Sequence, residues 1–410
     1  MASVKKVTLA NGETRWRMRL YVGRDPETGK QEIITRTFER KKDADAEVTR
    51  LKAMRQKGGL VMLSKEPLGK YLDNWLRTVK KGNLRARTYS DYRGVLKRYV
   101  QDPPEGAPRI SSIPLNQLAP QAIQDLYHHL QEEEDLSPRT IRSLHAVVRQ
   151  GLAHAARTGA LGRNVADLVV LPKRDRREVK AMSPKEADRF LKAALKDRYY
   201  ALWCVLLTGG LRPGEGLALR WPDVDMEGSK VHIDRTLTRR GQEGGGWKLV
   251  APKTARARRV VALPGFVVKA LRSWKAQQAE ERLKVGPGYE DHGFVFTTEF
   301  GKPLDGGNLY ARNFNRIMAV ADLGEWEQPE ERAPGTPGPK RRSKFRPAYR
   351  LYDLRHTAAT LLLRAREHPK VVSERLGHAS VAFTLDVYSA SVPDMQERAV
   401  EKLEAMFGAP

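Results

Sequence analysis

Residues 208–215 read Thr208-Gly209-Gly210-Leu211-Arg212-Pro213-Gly214-Glu215. Two glycines close the apolar run Ala201 to Leu207, and Pro213 opens a new helix with Arg212 just before it. A cation beside the N–H groups of a helix start is a natural phosphate site. The apolar run holds the single cysteine, Cys204, so no internal disulfide and no Cys-based zinc site can form, which fits a reducing compartment. Further upstream, Ser183-Pro184-Lys185-Glu186 is an N-cap, a first-turn proline and a capping-box glutamate, and it sets a domain boundary near residue 180. The stretch before it, Pro172-Lys173-Arg174-Asp175-Arg176-Arg177, reads as a basic interdomain linker tracking a phosphate backbone. Downstream come helices to Trp221, a β region from Val231 to Leu263, more helices, and a Pro/Gly-rich insertion at 324–347. That insertion carries Lys340, Arg341, Arg342, Lys344 and Arg346 and is expected to be a mobile loop.

From Ser64 to about Leu171 the pattern is helical, with Leu68, Leu72, Trp75, Leu76 and Val79 in one segment and Tyr89, Tyr92, Leu96, Tyr99 and Val100 in the next. Ser137-Pro138 starts a further helix running to Arg157. The first sixty residues differ. Asn11-Gly12 and Asp25-Pro26-Glu27-Thr28-Gly29 mark turns between three strands, and Lys41 to Gln56 is a helix ended by Gly58-Gly59. In the middle strand Trp16, Met18, Leu20 and Val22 share one face, and Arg15, Arg17, Arg19 and Tyr21 share the other. The cationic face has two readings, a solvated edge or a surface that enters a DNA groove. The fold class is therefore α+β and multidomain.

The whole chain has 410 residues, enough for two or three domains with cores of their own. Lysine and arginine total 74 against 49 acidic residues, a net charge of +25, so the expected partner is a polyanion, nucleic acid first. The 40% hydrophobic content excludes disorder for most of the chain, and no stretch approaches the roughly 18 apolar residues of a membrane span. The N-terminus has no apolar signal segment, so the expected location is cytoplasmic, on DNA, with no membrane partner.

Three further islands join residues 208–215. Pro252-Lys253-Thr254-Ala255-Arg256-Ala257-Arg258-Arg259 is a basic turn entering a strand, with Lys253 at a hairpin tip. Tyr352-Asp353-Leu354-Arg355-His356-Thr357 starts an apolar helix, and Leu376-Gly377-His378 precedes Tyr388 by ten residues. There is no acidic cluster for magnesium, no P-loop and no Cys/His zinc spacing, so metal-assisted hydrolysis and nucleotide-driven work lose support. Two fixed guanidiniums can grip the non-bridging oxygens of a phosphodiester, a phenol can attack phosphorus, and a lysine can protonate the leaving hydroxyl. Singly, each island has a plainer reading: a surface Arg/Glu pair, a solvated lysine, a histidine capping a helix, a packed tyrosine. Their order and reactive types together favour phosphotyrosine chemistry. His356 reads as structural, Trp203, Trp221 and Trp247 as core or interface, and Glu215 as the group that positions Arg212.

These islands resemble, in order, the boxes of the tyrosine recombinase (phage integrase) family: the arginine of T-G-L-R-x-G-E, the lysine of a P-K-T hairpin, the second arginine of H-x-x-R, L-G-H and the nucleophilic tyrosine. Arg212, Lys253, Arg355, His378 and Tyr388 match residue by residue. Tyr352 stands where the family has histidine, and a phenol with pKa about 10 is a poorer base at pH 7 than an imidazole near 6.5. The resemblance implies four parts: 1–62 an arm-type DNA-binding module of the larger integrases, 63–172 a helical core-binding domain, 173–182 a linker and 183–410 a mainly helical catalytic domain with a β-hairpin region. It implies a site-specific recombinase that needs no cofactor and no metal, with double-stranded DNA attachment sites as partners and a homotetramer on two duplexes. A directionality factor or a DNA-bending protein is a possible assistant. Candidate DNA contacts are Arg15, Arg17, Arg19, Lys173, Arg174, Arg176 and Arg177. A type IB topoisomerase-like enzyme and a catalytically inactive DNA-binding regulator are the rival readings.

Overall fold

The alternating N-terminal stretch forms the centre of an antiparallel sheet of order β1-β2-β3, with β1 at Ala2–Thr8, β2 at Thr14–Arg24 and β3 at Gln31–Phe38. The structure is a computed structural model that describes residues 2–9, 12–24, 31–56, 64–174, 179–239, 246–252, 257–328, 343–388 and 395–408. Trp16 lies between Lys6 and Phe38, and Leu20 between Ala2 and Ile34. Met18 and Leu20 are buried against Ala44, Val48 and Leu51 of α1, Lys41–Gln56. Each fully buried Leu or Met contributes about 1.5–3 kcal/mol, and a sheet this small needs the helix to close its apolar face. The turn expected at Asp25 to Gly29 and the Gly58-Gly59 stop lie outside the described residues.

The chain divides into two compact units, Met1–Arg176 and Arg177–Pro410. The first holds this small sheet and a helical part: α2 Leu68–Trp75, α3 Ala86–Leu96, α4 Pro120–Glu132 and α5 Pro138–Arg157. Ser137 caps α5 as expected, its hydroxyl accepting from the Thr140 N–H with Pro138 at the first helical position. Leu72, Trp75, Tyr127, Leu144, Val148 and Leu152 fill a separate core. Gly151 lets the helices approach closely there, because a Cβ on α5 would force the Leu72 side chain of α2 to shift.

In the second unit, the Ser183 capping box opens α6, Pro184–Ala194, followed by the almost wholly buried α7, Tyr200–Gly209, and α8, Pro213–Gly216. The β region has two small sheets: β4 Val224–Asp225, β5 Lys230–Ile233 and β8 Arg259–Ala262 in one, β6 Thr236–Arg239 and β7 Trp247–Val250 in the other. Then come α9 Gly265–Val285, α10 Gly306–Asn308 and α11 Asn315–Val320. Trp203 of α7 is fully buried with Phe190 and Phe314, while Trp221 and Trp247 pack at the edge of this core. Asp197 accepts from Trp203 Nε1, Asn313 and Arg316. Burial alone would raise its pKa, but these hydrogen bonds hold it below the ordinary carboxylate value.

Pro213 opens a helix of a single turn with Arg212 just before it, as expected, and Glu215 accepts from the Arg212 backbone N–H. One local expectation is corrected. The 324–347 insertion is not simply a loop: its ends pair as β9 Gly324–Glu327 and β10 Lys344–Pro347, with Trp326 edge-on to Phe345. Lys340, Arg341 and Arg342 lie outside the described residues. The last helices are α12 Asp353–Arg364, α13 Pro369–Leu376, α14 Val381–Tyr388 and α15 Met395–Phe407. Among the described residues no helix is long and apolar enough to cross a membrane.

Candidate active site

The apolar run of α7 must end abruptly to turn the chain toward Arg212. Gly210 makes that turn with φ +63°, and a Cβ on it would press on Leu376 of α13. Arg212 follows in extended conformation, its side chain 36% exposed, with Nη1 donating to Glu215 Oε1 at 2.7 Å. The other Glu215 oxygen accepts from Arg259 Nη2 at 2.8 Å. Glu215 is buried, which would raise its pKa, but the bonds and charge of Arg259 and Arg212 hold it below the ordinary glutamate value.

Arg355 sits in the first turn of α12 and is 1% exposed. Nη1 donates to the Gly210 carbonyl at 2.8 Å and Nη2 to the Leu376 carbonyl at 2.6 Å. It thereby ties the α7 and α13 ends to α12 and retains further donors of its guanidinium. Burial, with the Arg212 charge second, pushes its pKa down to about 10. Arg212, Arg259 and Arg355 thus surround one carboxylate, which leaves a positive balance in a partly water-excluded site. Such a cluster favours a phosphate diester.

His378 follows α13 through Gly377, itself at φ +64°. Its Nδ1 lies 2.8 Å from Thr384 Oγ1, and its ring is nearly parallel to that of Tyr388, with centroids 6.2 Å apart. Burial first, then the charges of Arg355, Arg212 and Arg259, lower the His378 pKa to about 4, so the ring is neutral at pH 7. Tyr388 ends α14, is 1% exposed, and has its pKa pushed up to about 12 by burial. His356 Nδ1 lies 2.8 Å from the Tyr388 hydroxyl. Tyr352, 41% exposed, lies beside the Arg212 guanidinium, where it helps to raise the Arg212 pKa, and sets its ring 5.3 Å from that of His356.

The structure therefore brings Arg212, Arg355, His378, Tyr352 and Tyr388 into one network, while Lys253 lies outside the described residues. Among the described residues no group of three or more His, Cys, Asp or Glu is placed to hold a metal ion. Of the candidate DNA contacts, Arg17 and Arg19 are exposed and, with Ser3, Lys5, Val7 and Thr35, line a shallow concavity on the sheet. Arg15 differs, being held by Glu13 and Glu39. Lys173 and Arg174 are exposed, and Arg176 and Arg177 lie outside the described residues.

Residues 180–394, more than half of the chain, match the model of the phage integrase family. The chain belongs to that family. As a member it is a site-specific recombinase, an enzyme. Residues 68–131 match the phage integrase N-terminal SAM-like domain. This integrase is 28% identical over 414 residues to a tyrosine recombinase XerC-like protein of Caldanaerobacter subterraneus subsp. tengcongensis, with 97% of each chain covered. It is 26% identical over 287 residues to the ICEBs1 integrase of Bacillus subtilis, with 70% of each covered. In fold it resembles the Tn1549 transposon integrase solved with a circular intermediate DNA, at TM-score 0.62 and 20% identity, covering 82% of this chain and 99% of that one. It also resembles a lambda integrase dimer bound to a core site, at TM-score 0.54 and 14% identity, covering 93% of each.

Two residues of the integrase site carry more than their sequence reading gave them. His356, read as structural, touches the Tyr388 hydroxyl, and the available signal is its spacing of four from Tyr352, which puts both on one helix face. Arg259 has the same strand parity as the buried Val261, so alternation turns it inward toward Glu215.

Proposed function

We propose that this recombinase cleaves and rejoins double-stranded DNA at the attachment sites of a mobile element, through a covalent 3′-phosphotyrosine intermediate. The observation that supports it most is the Tyr388 hydroxyl, buried between two histidines next to the Arg212, Arg259 and Arg355 cluster. In this reading Tyr388 attacks the scissile phosphorus, while Arg212 and Arg355 hold the non-bridging oxygens and offset the charge that develops there. A neutral His378 donates a hydrogen bond to the same oxygens. Tyr352, beside Arg212, helps to keep that guanidinium in place. Lys253 protonates the leaving 5′ oxygen.

The remaining parts follow the same reading. Residues 63–172 and 183–410 grip the core site, 173–182 lies along the backbone, and 1–62 binds a separate arm site through Arg17, Arg19 and Lys5. Exchange between two duplexes calls for four protomers, in the cytoplasm of a prokaryotic host. A directionality factor or a DNA-bending protein assists. The test is incubation with a nicked suicide substrate in which the leaving fragment diffuses away. A covalent protein–DNA adduct in the intact chain supports the reading, and its absence across attachment-site candidates mapped from the element's ends overturns it.

A further inference from the structure

His356 is the one residue whose side chain reaches the Tyr388 hydroxyl at hydrogen-bond distance among the contacts described above, 2.8 Å from Nδ1. It projects from the first turns of α12, one residue beyond Arg355, so the helix that holds Arg355 also fixes the imidazole. Its ring stands edge-on to Tyr352 at 5.3 Å and 5.6 Å from Tyr388, between an exposed phenol and a buried one. Tyr352 occupies the position where the resemblance places a histidine, and a phenol does not accept protons usefully at pH 7.

We propose that His356 is a catalytic residue, the base that accepts the Tyr388 proton. This rests on the covalent reading above. As the Tyr388 oxygen forms its bond to phosphorus, the phenolic proton passes to His356 Nδ1. The bond from phosphorus to the 5′ oxygen breaks, and that oxygen leaves with a proton from the general acid, assigned above to Lys253. On rejoining, the 5′ hydroxyl returns its proton to that amine and attacks phosphorus, and the His356 imidazolium gives its proton back to the Tyr388 oxygen. The role requires a neutral imidazole with Nδ1 unprotonated in the resting enzyme. Burial lowers the His356 pKa below the ordinary value, so the ring is neutral at pH 7. The groups facing it are Asp353, Arg350, Arg355 and Tyr352 from α12 and its lead-in, Tyr388 from α14, and His378 from the turn after α13.

The test is single-turnover cleavage of a suicide DNA substrate by the full chain, as a function of pH. His356→Gln is expected to lose about 100-fold or more at pH 7 while still binding DNA, with the deficit shrinking as pH rises and the phenol ionises without help. A His356→Gln rate within about threefold of the wild type with the same pH profile overturns the proposal. Nitrogen-15 spectra of the wild-type chain decide the matter where the variant fails to fold. A neutral His356 with unprotonated Nδ1, whose shift moves in Tyr388→Phe, is expected; an imidazolium at pH 7 or a proton on Nδ1 overturns it. Wild-type protein that forms no adduct at all sinks the covalent reading itself, whereas an adduct formed independently of His356 sinks this assignment alone.

Discussion

The Glu215 carboxylate and the Arg259 guanidinium, both buried, meet at two points, with Nη2 to Oε2 at 2.8 Å and Nη1 to Oε1 at 3.2 Å. Arg259 Nε donates on to the Arg375 carbonyl, so this pair joins β8 to the end of α13 and to the turn carrying Arg212. Glu215 is thus the counter-charge that lets three guanidiniums share a small volume. Glu215→Gln keeps the shape and removes the charge. It is expected to cost about 3–5 kcal/mol, the usual effect of stripping one partner from a buried ion pair. The urea midpoint of the variant measures it, and a loss below about 1 kcal/mol would mean that solvent or an anion screens the cluster.

Arg212 and Arg355 have the same proposed ligand but different structural duties. Arg355 spends Nη1 and Nη2 on two backbone carbonyls in the interior, whereas Arg212 is a third exposed and bonds to Glu215. Arg355→Ala therefore leaves the Gly210 and Leu376 carbonyls unpaired, at about 1–3 kcal/mol for each buried group. Arg212→Ala should cost markedly less stability while still abolishing cleavage. Thermal melts of the two variants with and without DNA separate the roles, and equal losses would contradict this division.

The pH response of stability follows from His378. Its folded pKa of about 4 lies below the ordinary 6.5, so the unfolded chain binds the proton more readily. Its contribution is intact above pH 6.5 and is lost as pH falls from 6.5 toward 4. His356 is depressed in the same direction, again first by burial. Melting temperatures at pH 7 and pH 5 should therefore differ less in His378→Asn than in the wild type. An unchanged difference would place the His378 ring in water.

Cleavage chemistry separates the nucleophile from the acid. Tyr388→Phe removes one oxygen from a packed ring, so DNA binding should persist while the covalent adduct disappears. Lys253→Ala should slow cleavage of ordinary DNA strongly but recover on a substrate whose bridging 5′ oxygen is sulfur, because a thiolate leaves without a proton. Arg212→Ala should not recover, since its proposed work is on the non-bridging oxygens. Equal Lys253→Ala defects on both substrates would remove Lys253 from the acid role.

Much of this was legible in the chain because it rests on local rules. The Ser137 and Ser183 caps, the Met18/Leu20 alternation and the Gly210 turn each depend on a few neighbouring residues, and each reappears in the fold. The Arg355, His378 and Tyr388 motifs sit on helix ends that only tertiary packing brings together, so their order could be read but not their contacts. His356 shows that limit most clearly. Its partner is 32 residues away on another helix, and the spacing of four from Tyr352 marks a shared helix face without naming that partner. The paired ends of the 324–347 segment escaped for the opposite reason, since prolines and glycines dominated its composition while Trp326 and Phe345 supplied a cross-strand contact.

The N-terminal sheet gives the last prediction, because its register decides which arginines can reach a phosphate. Lys5 stands directly opposite Arg17, and Ser3 opposite Arg19. Like charges facing each other across two strands are destabilising unless an anion lies over them, and these residues line the same shallow concavity. Arg15 shares their face but is drawn off by Glu13 and Glu39. In the full chain binding an arm-site duplex, Arg17→Ala and Arg19→Ala should each reduce the slope of log affinity against log salt by about 0.9, the signature of one lost phosphate contact. Arg15→Ala should change that slope much less. None of the three should alter the melting temperature greatly, since the Met18 and Leu20 core lies on the opposite face. Cleavage of a core site lacking arm DNA should be unaffected in all three. Three equal slope changes would mean that the carboxylates release Arg15 on binding, and no change in any would make the face a solvated edge with no part in DNA recognition.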